Sequence, residues 1–310
     1  MDNLGQHFLQ SNLWEKFQNN FGRDTIDKNS KTWEYMAIVE HGKLADRLYC
    51  PYGPVANDKR SLKSALKDLR DEAAMRNLTF VRVEPKGDFS PSDLHQMGLV
   101  RSHHDVQPSH TVVNDVSKSP EEILADLSQT ARRYARKSDK AGVTYSLSYE
   151  PNDIKYFIEL IHNVAARTRM KPMSDLYFEI LAKTLFPTHY AGLLFSEIDG
   201  KKIAAIIFYL DGKTMYYAHA ANDSDYRDIS PAYGLGKYAL LFAHDHGCQK
   251  FDWYGIAPEG ASKNHRWAGF TRFKLAFGGE RKEYLGTWEL PVKKTKYRMY
   301  KLLLKITNKK

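Results

Sequence analysis

The 310-residue chain has few cysteines and no long apolar segment. Its two cysteines, Cys50 and Cys248, are too few for a disulfide framework or a cysteine-based zinc site. Its longest apolar run, residues 203–210, is far shorter than a membrane-spanning helix. The N-terminus lacks the basic and apolar regions of a secretory signal. From these absences we expect a cytoplasmic protein in a reducing compartment.

Common catalytic and metal-binding motifs are also missing from the sequence. It contains no HExxH or CxxC pattern, no Walker A loop and no GxSxG elbow. Cys50 lies in an apolar stretch, which is typical of a core thiol rather than a nucleophile. We therefore expect no metal site and no bound cofactor.

Acidic residues are absent from the last 20 positions, which contain eight lysines and arginines. The net charge of the chain is +9, yet residues 1–290 carry 38 basic and 37 acidic residues. Within the basic tail, helical spacing of Tyr297, Tyr300, Leu303 and Leu304 predicts an amphipathic helix. Two interpretations stay open, namely peripheral contact with an anionic membrane and packing of this face on the first half of the chain.

Hydrophobic periodicity predicts an α/β (α+β) fold built from two halves. A capping box at Ser119 and Glu122 opens a helix predicted to continue to about Lys140. Asp-Gly turns separate three strands of an antiparallel meander. The predicted elements from the meander onward are strands 190–197, 203–210 and 215–220, helix 231–246, strand 250–254, helix 263–277 and strand 284–289. This is the element order of GNAT-type acyltransferase domains, and the first third of the chain has a comparable order.

The predicted boundary between the halves lies where the pattern restarts, near residue 107. We expect a first GNAT-like half at residues 1–106, with the segment 290–310 returning to it. The second half is then residues 107–289.

A glycine pair in the predicted helix 231–246 is a candidate cofactor site. Gly234 and Gly236 lie where a GNAT-type helix binds the pyrophosphate of acetyl-CoA. Pro231 stands where that cradle needs a polar side chain, so an acetyl-CoA-dependent N-acetyltransferase is our second hypothesis. Close packing of the helix is the alternative role for the two glycines.

A stripe of cations follows one face of another predicted helix. Arg133, Arg136, Lys137 and Lys140 recur at helical spacing. Such a face contacts phosphates in some proteins and is merely solvated in others. A non-catalytic protein that binds RNA or a membrane surface is therefore a third hypothesis.

Several segments, taken in order, resemble the Fem aminoacyltransferases (FemX, FemA and FemB). The longest matching stretch reads QPSHT at 107–111, PEEIL at 120–124, TARRYARK at 130–137 and KAGV at 140–143. Others read WEK at 14–16, YGPV at 52–55, VRVEP at 81–85, DWYGI at 252–256, FK at 273–274 and FGGE at 277–280. A long helical insert between residues 168 and 174 is missing, so the chain is similar to the compact FemX type.

The resemblance implies two GNAT-like halves without a coiled-coil insert. It also implies transfer of an amino acid from aminoacyl-tRNA to the side-chain amine at the third stem-peptide position of a peptidoglycan precursor. The acceptor is either a UDP-linked muropeptide or lipid II, and no DNA partner is expected. The transferred amino acid, the third stem residue and the oligomeric state stay open.

The resemblance places five residues at or near the reaction. Lys16 and Arg167 match contacts to the diphosphate of the precursor, and Tyr217 matches an aromatic position that lines the precursor groove. Phe273 and Lys274 match a Phe-Lys pair beside the reacting ester, where Lys274 would stabilise the oxyanion. The stripe of Arg133, Arg136, Lys137 and Lys140 becomes a candidate contact for tRNA phosphates.

Two further positions follow from the resemblance. Glu84 matches an acidic position at the cleft between the halves, so it is a candidate base for the attacking amine. Deprotonation by the substrate itself is the alternative. Tyr254 stands where the family usually has glycine, which leaves the width of the donor channel open.

Overall fold

The computed structural model describes residues 7–168, 170–265 and 267–307. Its contacts divide the chain into unit 1, Met1–Ser109 with Tyr284–Lys310, and unit 2, His110–Glu283. Both units combine a seven-stranded sheet with helices, so the predicted α/β class is confirmed. The predicted return of the tail to the first half begins at Tyr284 rather than at residue 290.

The chain first forms the main part of unit 1. Its elements are α1 (Asn12–Asn20), β1 (Thr25–Asn29), β2 (Trp33–Glu40), β3 (Arg47–Cys50), β4 (Val55–Ala56), α2 (Lys59–Met75), β5 (Phe80–Val83), α3 (Pro91–Gln96) and β6 (Val100–Arg101).

Unit 2 follows without interruption. Its elements are β7 (His110–Asp115), α4 (Pro120–Ala125), α5 (Gln129–Lys140), β8 (Thr144–Ser148), α6 (Ile154–Thr168), α7 (Asp175–Leu185), β9 (Ala191–Ile198), β10 (Lys201–Asp211), β11 (Thr214–Asn222), α8 (Pro231–Asp245), β12 (Lys250–Asp252), α9 (Ala268–Leu275) and β13 (Glu280–Glu283). The chain then returns to unit 1 with β14 (Trp288–Pro291) and α10 (Lys294–Thr307). Short 3₁₀ turns occur at Phe8–Gln10, Pro151–Asp153, Phe186–Thr188 and Ser224–Ile229.

The sheet of unit 1 has the order β1-β2-β3-β5-β14-β6, with β4 paired to β2. Helix α2 covers this sheet with a buried stripe of Leu62, Leu66 and Leu69, whose spacing matches the helical repeat. Asp58 caps α2 by accepting a hydrogen bond from the backbone N–H of Ser61 at 2.7 Å.

The predicted strand at 284–289 is wrong, because this segment contains the connection between strands of two different sheets. β13 pairs with β7 in unit 2 and ends at Glu283. β14 begins at Trp288 and lies between β5 and β6 in unit 1. Gly286, with φ +69°, lies in the connection. Tyr284, Thr287 and Trp288 favour a strand on both sides of Gly286, which hides this break in the sequence.

Helix α10 is anchored to unit 1 through its aromatic side. The rings of Tyr297 and Tyr300 pack on Phe80, with centroids 5.5 Å and 4.9 Å away. Buried Glu289 accepts hydrogen bonds from Arg82 at 2.6 Å and from the Tyr297 hydroxyl at 2.8 Å. These two tyrosines therefore follow the packing interpretation of the tail rather than the membrane one.

The basic tail is described only in part. Lys309 and Lys310, which belong to it, lie outside the described residues. Among the helices that the structure describes, none combines the length and the apolar character needed to cross a bilayer.

The sheet of unit 2 has the order β13-β7-β12-β11-β10-β9-β8. Strands β9 to β11 form the predicted antiparallel meander, and β8 pairs antiparallel with β9 at its edge. Asp199, Gly200 and Gly212 have φ values of +49°, +79° and +58°, which the tight turns between the strands require. The predicted hairpins are therefore confirmed.

The helix predicted from Ser119 to about Lys140 is two helices. Ser119 and Glu122 form the predicted capping box, but α4 ends at Ala125. Ser128 then caps α5 by accepting a hydrogen bond from the N–H of Ala131 at 3.2 Å. A new cap three residues after α4 ends lets the chain change direction while the apolar spacing continues.

The predicted helix 263–277 is also shorter than expected, since α9 spans only Ala268–Leu275. The preceding segment forms turns, in which the N–H of His265 donates to the carbonyl of Ser262 at 2.8 Å.

We predict that Glu289→Ala lowers the free energy of unfolding by about 3–5 kcal/mol, because it leaves the guanidinium of Arg82 buried without its carboxylate. Urea unfolding followed by circular dichroism measures the change. Glu280→Ala is the matched control, since its ion pair with Lys282 is exposed to solvent and contributes little to stability. Equal stability of the two variants would contradict the anchoring role of Glu289.

Candidate functional site

An opening in the sheet of unit 2 forms where two parallel strands separate. β11 and β12 pair over three positions, ending at Tyr216 opposite Asp252. β11 continues along β10 to Asn222, with a register shift that leaves Ala218 as an extra residue between Tyr217 and His219. Such a bulge bends a strand and re-aims its side chains. The edge of β11 beyond Tyr216 is therefore exposed to a pocket.

The pocket has a volume of about 600 Å³ and lies entirely within unit 2. Its walls come from β10, β11, α6, α9 and residues 170–173, with further side chains from α7 and α8. The charged side chains described there are all cations, namely Arg167, Lys171 and Lys274. A pocket lined by cations and apolar groups suits a ligand that carries an anionic group beside an apolar one.

Lys274 is held at the pocket by backbone carbonyls. Only 9% of its surface is exposed, and its Nζ donates to the carbonyl oxygen of Gly255 at 2.8 Å and to that of Tyr254. Burial lowers the pKa of Lys274 to about 8, while the carboxylate of Asp252 partly opposes this shift. An ammonium has three N–H donors, so two of them fix its position and the third can serve a ligand.

The carbonyls that hold Lys274 depend on an unusual backbone turn. After β12, Tyr254 and Gly255 have φ values of +52° and +68°. The Tyr254 N–H donates to Oδ1 of Asp252 at 2.8 Å, which stabilises the turn. Glycine adopts this left-handed conformation at the lowest energetic cost. The backbone turn therefore gives a reason for the glycine that the Fem proteins usually have where this chain has Tyr254. Tyr254 adopts the same conformation and does not line the pocket.

Aromatic side chains shape the pocket around Lys274. Its Nζ lies 5.6 Å from the ring centroid of Tyr217, which is buried. Phe273, next to Lys274, packs at right angles on the rings of Tyr233 and Trp253, with centroids 5.0 Å and 5.9 Å away. These rings limit the water around the ammonium and explain its lowered pKa.

His219 is a pocket residue that the sequence analysis missed. The rings of Phe157, Tyr177 and Phe178 lie 6.4, 6.5 and 5.4 Å from its own ring. Burial lowers the pKa of His219 to about 4, so the imidazole is neutral at pH 7. A histidine near Tyr217 within an apolar strand was the available signal, but the bulge that turns both toward one pocket leaves no mark in the sequence.

The structure brings four of the predicted site residues to this pocket. Tyr217, Phe273 and Lys274 lie inside it, and Arg167 lies in the last turn of α6 at its wall. The side chain of Arg167 is exposed, so it is accessible to a charged ligand. The roles of the four residues stay predictions.

Glu84 is surrounded by hydrogen-bond donors within unit 1. Oε1 accepts from the hydroxyl of Thr287 at 2.6 Å and from the N–H of Gln107 at 2.9 Å. Oε2 accepts from the hydroxyl of Tyr49 at 3.0 Å and from the N–H of Tyr52 at 3.1 Å. Burial raises the pKa of Glu84, and these hydrogen bonds oppose the shift. This arrangement suits a carboxylate that ties together distant segments of unit 1.

The predicted cation stripe lies on the exposed face of α5. Arg133, Arg136, Lys137 and Lys140 line an open groove of about 640 Å³, together with Gln129 and Arg132. Lys16, in unit 1, is exposed on α1, and its contact with a diphosphate stays a prediction.

The two glycines of α8 are buried against side chains. A Cβ atom at Gly234 would collide with Tyr145 and Ser138, and one at Gly236 would collide with the ring of Phe277. The geometry thus favours close packing over an acetyl-CoA cradle. Across the described parts of the chain, no three His, Cys, Asp or Glu side chains cluster as metal ligands would.

Comparison with known proteins relates this site to a family. Residues 191–305, which include β11, α9 and Lys274, match the model of the FemAB family. The lipid II:glycine glycyltransferase of Staphylococcus haemolyticus is 24% identical, and the alignment covers 78% of this chain and 76% of that enzyme. The chain is therefore similar to the Fem family in the region that contains the pocket. A second relative, aminoacyltransferase FemA of Staphylococcus epidermidis, is 26% identical over 34% of this chain and only 25% of FemA.

Solved structures with the same fold confirm the GNAT-like architecture of this chain. FemX superposes with a TM-score of 0.84 at 16% identity and covers 94% of both chains. A tandem GNAT protein from the clavulanic acid pathway superposes with a TM-score of 0.59 at 13% identity, covering 93% of this chain and 90% of its own. The expected fold of two GNAT-like halves is therefore confirmed.

Proposed function

We propose that this protein transfers an amino acid from aminoacyl-tRNA to the stem-peptide amine of a peptidoglycan precursor. The observation that carries the proposal is the buried ammonium of Lys274, fixed by two carbonyls at a pocket lined by cations and aromatic rings. The names of the relatives, a lipid II:glycine glycyltransferase and an aminoacyltransferase, support this class of reaction. Charged tRNA is a cytoplasmic substrate, so we place the reaction in the cytoplasm.

The proposed reaction requires that the two substrates be aligned and that the negative charge of the intermediate be stabilised. The acceptor amine attacks the carbonyl carbon of the aminoacyl ester, the new C–N bond forms, and the bond from carbon to the ribose oxygen breaks. The amine loses one proton and the departing ribose hydroxyl gains one, so no net acid or base is consumed. We propose that the third N–H of Lys274 donates to the oxyanion that develops between these steps. Phe273 and Tyr217 keep water away from it.

The acceptor carries a diphosphate, which calls for cations that remain accessible. Arg167 and Lys171 line the same pocket as Lys274, and both side chains are exposed. We propose that Arg167 pairs with a phosphate of the precursor, because a guanidinium can form two parallel hydrogen bonds to it. Lys16 is proposed as a second diphosphate contact on the family resemblance alone.

Glu84 is proposed here as a structural carboxylate rather than as the base. Four donors within 3.1 Å use the lone pairs that a base would need. The alternative that the substrates exchange the proton themselves therefore gains support.

The donor would approach the cationic face of α5. Its four predicted cations are exposed along one groove and therefore free to contact phosphates. The acetyl-CoA hypothesis loses support, because the helix that would form its cradle begins at Pro231 and buries both glycines.

We predict that incubation with a mixture of charged tRNAs and both acceptors, a UDP-linked muropeptide and lipid II, adds one aminoacyl residue to a stem peptide. Mass spectrometry of the product identifies both the amino acid and the acceptor. Deacylated tRNA with free amino acids is the control and should give no product. Acetyl transfer from acetyl-CoA, with none from charged tRNA, would contradict the proposal.

We also predict that the double variant Arg133→Gln with Arg136→Gln weakens tRNA binding, because it removes two phosphate contacts. The slope of log K against log salt should fall by about one unit per cation removed. Filter binding over a salt series measures this slope. The control variant, Arg60→Gln with Lys63→Gln, removes two exposed cations from α2 and should keep the original slope. Equal slopes for the two variants would exclude the α5 face as the tRNA contact.

A further inference from the structure

Helix α10 has a second apolar face, opposite the one that packs on unit 1. Met299, Leu302 and Ile306 are exposed by 59%, 60% and 56%. Since successive helical residues are rotated by about 100°, these three positions share one side of the helix. Tyr297, which is buried, points the other way. The helix therefore presents to solvent three large apolar side chains that its own packing does not require.

Cations flank this outer face. Lys296, Arg298 and Lys305 are exposed on α10, and none of them forms an ion pair with another described residue. The last 20 residues of the chain contain no acidic side chain. Apolar side chains bordered by uncompensated cations are the pattern of a helix that lies in a membrane interface. The long basic side chains can reach headgroups while the apolar ones enter the acyl region.

The anchoring of α10 gives the outer face a fixed direction. The inner side is held by Tyr297 and Tyr300 on Phe80 and by the hydrogen bonds to buried Glu289. The outer stripe can therefore enter a membrane surface without unpacking the helix from unit 1. An interfacial helix that is already folded loses less conformational entropy on binding than one that must fold there.

We propose that the outer face of α10, formed by Met299, Leu302 and Ile306, docks this protein on a membrane surface rich in anionic lipids. Charge complementarity favours an anionic membrane as the partner, because its headgroups attract the cations that flank the outer face. A second copy of the chain is a poorer partner, since a symmetric dimer through this face would set the cations of one copy against those of the other. This docking does not depend on the proposed transfer reaction.

Vesicle sedimentation with the full chain tests the proposal. One set of vesicles is phosphatidylcholine alone, and the other contains roughly one third phosphatidylglycerol. We expect binding to the anionic vesicles and much weaker binding to the neutral ones. The double variant Leu302→Glu with Ile306→Glu should bind the anionic vesicles at least roughly tenfold more weakly, because it removes the apolar contact and adds repulsion.

The matched control is Met75→Glu with Leu176→Glu, which adds the same charge at two exposed apolar positions, on α2 and α7. It should bind almost as well as the unaltered chain. Equal binding of the two double variants, or equal binding of the unaltered chain to neutral and anionic vesicles, would overturn the proposal. So would light scattering that shows a dimer dissociated by the α10 variant, without vesicle binding.

Transfer to a water-soluble acceptor separates this inference from the proposed function. The variant Leu302→Glu with Ile306→Glu should retain that transfer, because both side chains are exposed on α10 of unit 1, whereas the pocket of Lys274 is lined by residues of unit 2. Loss of vesicle binding with retained transfer supports the docking role. Vesicle binding without any transfer would overturn the proposed reaction and leave the docking face standing.

Discussion

The hydrogen bonds from Lys274 to the carbonyls of Tyr254 and Gly255 are the constraint on which the candidate site depends. They exist because β12 ends after three residues and the chain turns there in the left-handed region. If β12 had continued beside β11, its carbonyls would be used in the sheet and the pocket would be closed. The end of pairing between β11 and β12 thus creates the space for a ligand and leaves two carbonyls available to bind the ammonium.

This arrangement also sets the charge that the site can present. Burial among Phe273, Tyr217 and neighbouring rings lowers the pKa of Lys274 to about 8, and Asp252 keeps it from falling further. The lysine is therefore mostly charged at neutral pH, yet poorly hydrated, and such a donor interacts strongly with a developing oxyanion. His219, with a pKa of about 4, stays neutral nearby and adds polarity to the same pocket without adding charge.

Local signals in the sequence were sufficient to predict much of the fold. The Asp-Gly turns specify the hairpins of the meander, and the capping box at Ser119 marks the start of α4. The strand predicted at 284–289 failed because periodicity does not reveal a change of sheet between Glu283 and Trp288. The helix predicted in the tail is present as α10, but helical spacing predicts only an apolar face and does not say whether protein or lipid covers it.

The candidate site was predictable only through family resemblance. Phe273, Lys274 and Tyr217 were identified from motif matches, and the structure places them at one pocket. The contacts of these residues were not predictable from the sequence. Lys274 is fixed by backbone carbonyls, and the bulge at Ala218 depends on the register in which β10 and β11 pair. Glu84 shows the converse, since an acidic residue at a matching position accepts four hydrogen bonds from distant segments of unit 1.

The single-turnover rate of aminoacyl transfer by Lys274→Met tests the central claim most directly, with charged tRNA and acceptor both saturating. Methionine keeps the length of the side chain and removes the ammonium, so the rate should fall roughly 10²- to 10³-fold with little change in binding. Arg272→Met removes an exposed cation from the same helix and should leave the rate nearly unchanged. A Lys274→Met rate close to that of Arg272→Met would contradict the account.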